Sequence, residues 1–563
     1  MSRPPNEIPT IWTTGFTDVF NTGTWRAATP VYAWRPSPCL VDCPIDNAIP
    51  RWIKYISEGD YQQAWLELVE TNPFPAVTGR VCHHPCEGHC NREVLEAVVG
   101  INGLEHFLGD HALDHGWALP EAAEPVGKRV AVVGGGPAGL SCAYHLRRLG
   151  YQVTIFEARE RLGGLLRHGI PEYRLAAQVA DREIQRVVDL GVEVRTSTSV
   201  GDSQAFAQLR EEYDAVFVAV GAQQAKRLPH LDAGAGAGRV LDGLDYLRRC
   251  IEGATRGLGE RMTVIGGGSA AVDVARTARR LGHRVSMVAL ETRAVMPAQR
   301  EEVEEALEEG VALFDGAMVT RVEATAGGLR LDCVKVQLDP TAPAGELRPL
   351  PVDGGGFVLE ADVIVTAIGQ DPNLTAFGGD IRVDAGVAAA APDTAATTAA
   401  GVFAGGDAAG TSRFVSVAIG DGRRAAYGIA AYLGHPDAEV VVRHTLEQAV
   451  NRNEVNVFYF DFAERNEKAK APVAERLTGF AEVNRVFTPE QAAAEAARCL
   501  TCGTCIECDN CFVFCPDMAV KKDDSKSDSP EGRYVILDQY CKGCGLCVAE
   551  CPRGAVHLEQ VTQ

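Results

Sequence analysis

Hydrophobic positions along this chain change period in a regular order. VAVV (130–133) is a continuous apolar run of small and β-branched residues, the pattern of a fully buried strand. Glycines interrupt it, apolar residues then recur at helical spacing to about Leu149, and a second run, QVTIF, ends at Glu157. The same succession returns in TVIGGGSAAVDVARTARRLGHRVSMVAL (263–290). ADVIVTAIGQDPN (361–373) and VFAGG (402–406) supply later strands, the second leading into a helix. Strand–helix alternation predicts two α/β units of the doubly wound kind, the second nested inside the sequence of the first. Elsewhere the pattern is helical or irregular. IPRWIKYISEGDYQQAWLELVE (49–70) reads as two short amphipathic helices, and TPEQAAAEAARC (488–499) as a helix opened by Thr-Pro. ALPEAAEPVGK (118–128) is a linker, while GAGAGRV (234–240) and TAPAGELRPLPVDGGG (341–356) read as surface loops or hairpin tips. Residues 1–34 lack periodicity and predict an extended arm.

The turns between strand and helix carry the first chemistry. Gly134, Gly136 and Gly139 form GxGxxG, continued by Pro137 and Ala138 into the helix, with Glu157 closing the next strand. Such glycines let the backbone approach a pyrophosphate held at a helix N-terminus, and the acid accepts hydrogen bonds from a ribose. In the second unit Gly266 and Gly268 repeat the first two glycines, Ser269 and Ala270 follow, and Ala271 replaces the third. Two such units suit one flavin and one nicotinamide. Gly164 and Leu165, then Gly406, Asp407 and Ala418 far downstream, complete a two-part FAD site. Arg161 and Arg174 flank the double glycine at 163–164, placed either to pair with phosphate or to form surface ion pairs. Gly369, Glu291 and Arg293 are the remaining candidates toward the nicotinamide coenzyme.

Composition narrows the partners. The chain has 563 residues, enough for three or four domains, and a net charge of −21 that disfavours nucleic acid and anionic membranes. No apolar run spans a bilayer, and MSRPPNEIPT lacks a signal-peptide core, so the expected location is cytoplasmic. Of 18 cysteines, all but Cys142, Cys250 and Cys333 crowd into the two ends. Those three stand singly, which argues against a disulfide reductase, and read as small buried hydrophobes.

At the C-terminus Cys505, Cys508, Cys511 and Cys515-Pro give C-x2-C-x2-C-x3-C-P, and Cys541, Cys544, Cys547 and Cys551-Pro repeat it. This is the two-cluster bacterial ferredoxin pattern, in which the fourth cysteine of each run serves the other [4Fe–4S] centre. Cys551 therefore joins Cys505, Cys508 and Cys511, and Cys515 joins the second run. Cys499 and Cys502 are left over, either structural or spare, although a register using Cys502 is conceivable.

These motifs resemble the small, flavin-containing subunit of glutamate synthase and its relatives, including the flavin half of dihydropyrimidine dehydrogenase, over about residues 35 to 435. RCLTCGTCIECDNCFVFCPDMAV also resembles the ferredoxin-type subunit of 2-oxoacid:ferredoxin oxidoreductases. The resemblance implies a helical iron–sulfur domain around CLVDCP and GRVCHHPCEGHC, with Cys43, Cys82 and Cys86 as ligands and Glu105, Cys39 or Cys90 completing the set. Relatives with two clusters there carry a further C-x2-C upstream; Val31 and Trp34 stand at those positions, so one N-terminal cluster is expected. His83, His84 and His89 read as neighbours of ligands. Relatives that use the phosphorylated coenzyme have Tyr-Arg-Arg where this chain, aligned on MPA (296–298), has Ala289, Leu290 and Glu291. A carboxylate there favours NADH, and Arg293 is the residue that could still serve NADPH.

The expected organisation is an arm and helical iron–sulfur domain (1–125), an FAD domain (126–230 and 370–440), an NAD(P) domain (231–369), a linker or helical segment (441–495) and a two-[4Fe–4S] ferredoxin domain (496–563). The expected function is electron transfer between NAD(P)H, FAD and [4Fe–4S] clusters, to or from a ferredoxin or a low-potential catalytic subunit such as a 2-oxoacid or aldehyde oxidoreductase. A hetero-oligomer follows. The alternatives are an NADPH-dependent glutamate synthase small subunit and a non-catalytic redox-sensing assembly module.

Overall fold

A computed structural model describes residues 21–231, 238–255, 257–343, 347–436, 441, 443–526 and 532–561. Residues 234–237 of the first expected loop lie outside them, as does most of the N-terminal arm.

The first α/β unit is a five-stranded parallel sheet. Arg129–Val133 lies at its centre, between Gln152–Phe156 and Ala215–Val218, with Glu193–Arg195 and Val402–Ala404 at the edges. Helix Pro137–Arg148 packs on helix Val415–Tyr432 at close range. Gly422 permits this, since a Cβ there would overlap the Ala138 carbonyl oxygen. The second unit centres on Arg261–Ile265 and Val363–Thr366, flanked by Arg284–Val288, Ala312–Phe314 and Val240–Asp242. In both sheets the central strands are apolar runs because both faces are covered, by helices in the first and by helices on one face and an antiparallel sheet on the other in the second.

Residues 349–356 are not a loop. They belong to strand Pro349–Ala361, which pairs antiparallel with Gly328–Leu338, itself paired with Ala317–Thr325. Its first half is mostly exposed, so no hydrophobic alternation marks it, and backbone hydrogen bonds alone define it.

The helical N-terminal region contains the two amphipathic helices as Ile49–Ser57 and Tyr61–Val69, burying Trp52 and Trp65. Helix Pro489–Ala497 has a capping box, Thr488 with Gln491. The arm is tied to the far end of the chain: Ala28–Tyr32 pairs antiparallel with Val556–Gln560, and Val31 faces His557. The stretch after 443 is no loose linker. Lys470 pairs with Glu305 at 2.8 Å, Arg476 with Glu308 at 2.8 Å, and Arg80 bridges Asp110 and Glu482 at 2.6 Å each. It straps the nicotinamide unit to the helical region. Among the described residues no helix is long and apolar enough to cross a membrane.

Candidate functional site

The glycine loop of the first unit is shaped by backbone contact. Gly134 has φ +111°, and a Cβ on it would overlap the Ala219 carbonyl oxygen; one on Gly139 would overlap that of Gly134. The Glu157 carboxylate, 8% exposed, folds back on this loop and accepts from the Gly135 amide at 2.8 Å and the Arg159 amide at 2.9 Å. Gly134, Gly136, Pro137, Ala138, Glu157, Gly164, Leu165, Gly406, Asp407 and Ala418 line one cleft. Burial raises the Asp407 carboxyl above its ordinary range, partly offset by Arg413. The cleft has the narrow, backbone-lined shape that fits an extended dinucleotide.

Two expected cleft residues lie elsewhere. Arg161 is exposed and away from the lining. Arg174 is buried in an ion-pair junction, 2.7 Å from Asp273 and 2.5 Å from Glu302 of the second unit. Its side chain turns away from the double glycine because two unpaired carboxylates there would cost more than one buried guanidinium with partners. The same junction stacks the Arg280 guanidinium on the Tyr173 ring at 3.8 Å and holds Arg276 between Glu305 and Glu309. Asp273 is thus a junction residue. The cleft also takes Ala219 to Gln223, Arg413 and Phe414, which no motif in the sequence singles out. The one signal for them is the repeat of A-x-G as Ala219-Val220-Gly221 and Ala367-Ile368-Gly369, one after each unit's later strand.

In the second unit a cavity of about 500 Å³ opens beside Gly266, Gly268, Glu291 and Gly369, with Leu228, Ala317 and Pro349 among its apolar walls. Gly266 has φ +144°, and a Cβ would overlap the Ala367 carbonyl oxygen. The Glu291 carboxylate lies against Gly267, as Glu157 lies against Gly135. Ser269, Ala270 and Ala271 form the first helical turn behind the loop and do not line the cavity; the Ala271 methyl is buried. Arg293 does not line it either, and its guanidinium points 3.9 Å from Glu304.

The helical region groups its cysteines. Cys43, Cys82, Cys86 and Glu105 line one cavity, together with Ser416 from the helix that starts at the flavin cleft. Glu105 accepts from Asn72 Nδ2 and Thr78 Oγ1 at 2.9 Å each, and burial pushes its carboxyl up to about 7. Burial likewise pushes the Cys43 and Cys82 thiols up to about 12. Three thiols and a carboxylate around one cavity are a donor set that fits a cluster, which would favour their ionised forms. Cys39 and Cys90 stand apart from this set, near Cys499 and Cys502. His83 stacks on Phe414 with ring centroids 3.8 Å apart, His84 donates its backbone amide to Cys82 Sγ at 3.3 Å, and His89 pairs with Asp42. None of them sits in the cysteine-lined cavity except His84.

In the ferredoxin region Cys551 lies within charge-interaction reach of Cys505 and Cys511, and Cys515 within that of Cys541 and Cys547. Cys547 also lies within reach of Cys511, so the two runs come together in the fold, and the crossed assignment stays our reading of the spacing.

Known proteins share this arrangement. The family described as pyridine nucleotide-disulphide oxidoreductase matches residues 95–208 and 128–422; that described as dihydropyrimidine dehydrogenase domain II, 4Fe-4S cluster, matches 27–117; and a 4Fe-4S dicluster domain matches 498–555. The NADP(+)-dependent formate dehydrogenase subunit beta of Moorella thermoacetica is 36% identical, covering 83% of this chain and 70% of its own. The NADPH-Fe(3+) oxidoreductase subunit beta of Geobacter sulfurreducens is 34% identical, covering 83% and 75%. The glutamate synthase [NADPH] small chain of Azospirillum brasilense is 34% identical, covering 70% and 86%. All three are named as one subunit or chain of an enzyme. Cys142, Cys250 and Cys333 are free thiols, so the disulphide in the family's title has no counterpart in these three. The chain belongs to the glutamate synthase small-subunit-like family of iron–sulfur flavoproteins, as an FAD-dependent NAD(P)H oxidoreductase subunit with iron–sulfur domains at both ends.

Proposed function

We propose that this chain is the electron-input subunit of a larger oxidoreductase, taking hydride from NADH and delivering single electrons through its ferredoxin end. The partner is a catalytic subunit of low potential or a free ferredoxin. One observation carries the reading: Phe414, on the wall of the flavin cleft, stacks on His83, the neighbour of Cys82. That contact joins the site of two-electron chemistry to the first cysteine set. FAD, when bound, supplies the conversion between a hydride's electron pair and single electrons. The chain's own residues orient and exclude. Glu157 fixes the loop at Gly135, Asp407 and Ala418 close the cleft from the opposite side, and Glu105 completes the donor set of Cys43, Cys82 and Cys86.

Glu291 supports NADH. Its carboxylate occupies in the second unit the position of Glu157 in the first, suited to ribose hydroxyls and repulsive to a 2′-phosphate. NADPH is the second reading, favoured by the names of the relatives and by the proximity of Arg293, whose pairing is loose. We also keep the division into five domains given above as our reading, with 441–495 reassigned from linker to strap.

The test is an anaerobic titration of the reconstituted protein with NADH and, separately, NADPH, following flavin absorbance and the EPR of reduced clusters. Bleaching by NADH with cluster signals supports the reading. Reduction by NADPH alone overturns the role given to Glu291. Reduction by neither removes the catalytic reading and leaves a redox-sensing assembly module.

A further inference from the structure

We propose that Cys39, Cys90, Cys499 and Cys502 form a further [4Fe–4S] site, built jointly by the helical region and the chain entering the ferredoxin fold. Three separate stretches of backbone converge there. Asn91, next to Cys90, donates its Nδ2 to Cys502 Sγ at 3.4 Å and to the Val450 carbonyl at 3.0 Å. Arg92 Nη1 donates to the carbonyl of Arg498, the residue before Cys499, at 3.0 Å. Gly503, with φ +81°, lies so close to the Arg35 carbonyl that a Cβ would overlap it, which brings the 35–39 stretch against the residue after Cys502. Cys39, Cys90 and Cys499 all pack on one apolar core.

The four sulfurs are near neighbours. Cys39 lies within charge-interaction reach of Cys90, Cys499 and Cys502, and Cys502 within that of Cys499 and Cys90. Hydrogen-bond donors already point at three of them: the Ser37 hydroxyl at Cys39 Sγ (3.1 Å), the Thr501 amide at Cys499 Sγ (3.4 Å) and Asn91 at Cys502. Donors to ligand sulfur are how proteins stabilise cluster charge. All four cysteines are free, and among the described residues no three Cys, His, Asp or Glu side chains close on a single ion. Four thiolates are the donor set of a cubane, and the iron and zinc counts below separate that from a single zinc.

The position gives the site its use. Cys86 of the first set reaches Cys39, and the Arg553 guanidinium reaches Cys499 and Cys502 on one side and Cys508 and Cys551 on the other. Arg553 also donates to the carbonyls of Cys499 and Leu500. The site lies between the flavin-proximal set and the ferredoxin clusters. On assembly four thiols release four protons and form four Fe–S bonds to a core built from iron and sulfide. In turnover the site takes one electron from one neighbour and gives one to the other, with NAD(P)H as the reductant.

The inference adds to the reading above and can fail separately from it. The full chain is reconstituted anaerobically with ferrous and ferric iron and sulfide, which together supply the mixed-valence core, and iron, zinc, sulfide and flavin are counted. Four cubanes hold about sixteen irons, three about twelve. Wild type at about sixteen is the expected result, and about twelve overturns the inference while leaving the three-cluster reading intact. Cys499→Ser/Cys502→Ser loses about a quarter of the iron and one reduced-cluster EPR signal, with flavin content and flavin reduction by the coenzyme unchanged. Cys39→Ser loses the same signal, and combining it with the double variant removes no further iron. Losses that add, unchanged iron in the double variant, or zinc at one per chain each overturn the shared site. Cys333→Ser, at a buried thiol of the antiparallel sheet, is the control that keeps all iron.

Discussion

The flavin unit and the nicotinamide unit start from one pattern and end as different sites. Both hold their first glycine at positive φ against the carbonyl of an A-x-G segment, and both set a glutamate against the middle glycine of the loop. They part at the third glycine. A Cβ on Gly139 would overlap the Gly134 carbonyl, whereas the second unit has room for the buried methyl of Ala271 at the matching position. The first unit is then crossed by the returning chain, Gly406 to Ala418, which walls its cleft. The second is flanked by an antiparallel sheet and keeps an open cavity of about 500 Å³. A cleft closed by a distant segment suits a resident group, and an open cavity suits a coenzyme that must leave after each hydride.

The contrast is broken most severely at Gly139. Gly139→Val drives a side chain into the Gly134 carbonyl, so the purified variant should lack flavin, read as the flavin absorbance per chain. Ala271→Gly should retain both cofactors and cost only about 1 kcal/mol as a helical glycine. Next in size is the junction that sets the two units facing each other. Arg174→Ala leaves Asp273 and Glu302 buried and unpaired, and should lower stability by about 3 kcal/mol in denaturant melts. Arg174→Ala with Asp273→Asn should recover part of that loss; simple addition of the two losses would mean the pair is not coupled. Smaller again is Glu291→Ala. Losing charge-assisted hydrogen bonds worth about 1.5 kcal/mol raises KM for NADH about tenfold, with kcat little changed and NADPH use improved. A Glu291→Ala variant with unaltered coenzyme ratio would make the glutamate a bystander.

A further test concerns how the flavin unit is fastened to the helical region. Glu183 is fully buried, with the Arg186 guanidinium 3.5 Å from one carboxylate oxygen, and is pushed by burial from 4.5 up to about 8. Between those values the folded chain keeps a proton that the unfolded chain releases, so this group's contribution to stability falls as pH rises from 4.5 to 8. Glu183→Gln removes that slope, which melting curves at about pH 5.5 and about pH 8 would show. The nicotinamide unit, held by Arg276, Arg280, Glu305 and Glu309, has its two acids lowered instead and contributes the opposite slope, below pH 4.5.

Much of the molecule is legible in its sequence. The two units, their nesting, most cleft residues and the crossed pairing of the ferredoxin cysteines follow from runs of neighbouring residues, where period and spacing act within one turn or loop. The A-x-G segments are visible as a repeat, but of them only Gly369 stands out as a coenzyme contact. Arg174 shows the limit: its neighbours in sequence are the double glycine, while its partners, Asp273 and Glu302, come from another unit. The exposed strand at 349–356 escapes because its pairing resides in backbone groups that no side-chain pattern reports.

The same division runs through the cysteines. Local spacing by itself proposes the eight ferredoxin ligands, because three thiols of each run can meet one cubane across a single loop. It could not sort Cys39 from Cys43, one helical turn apart, or assign Cys499 and Cys502. Only the tertiary structure places them, setting Cys43 beside Cys82 and Glu105 and bringing Cys39 and Cys90 to a stretch at the far end of the chain, which is the basis of the proposal above. Ligand identity there depends on which helices pack together, and packing is a property of buried faces across the whole chain that no short motif contains.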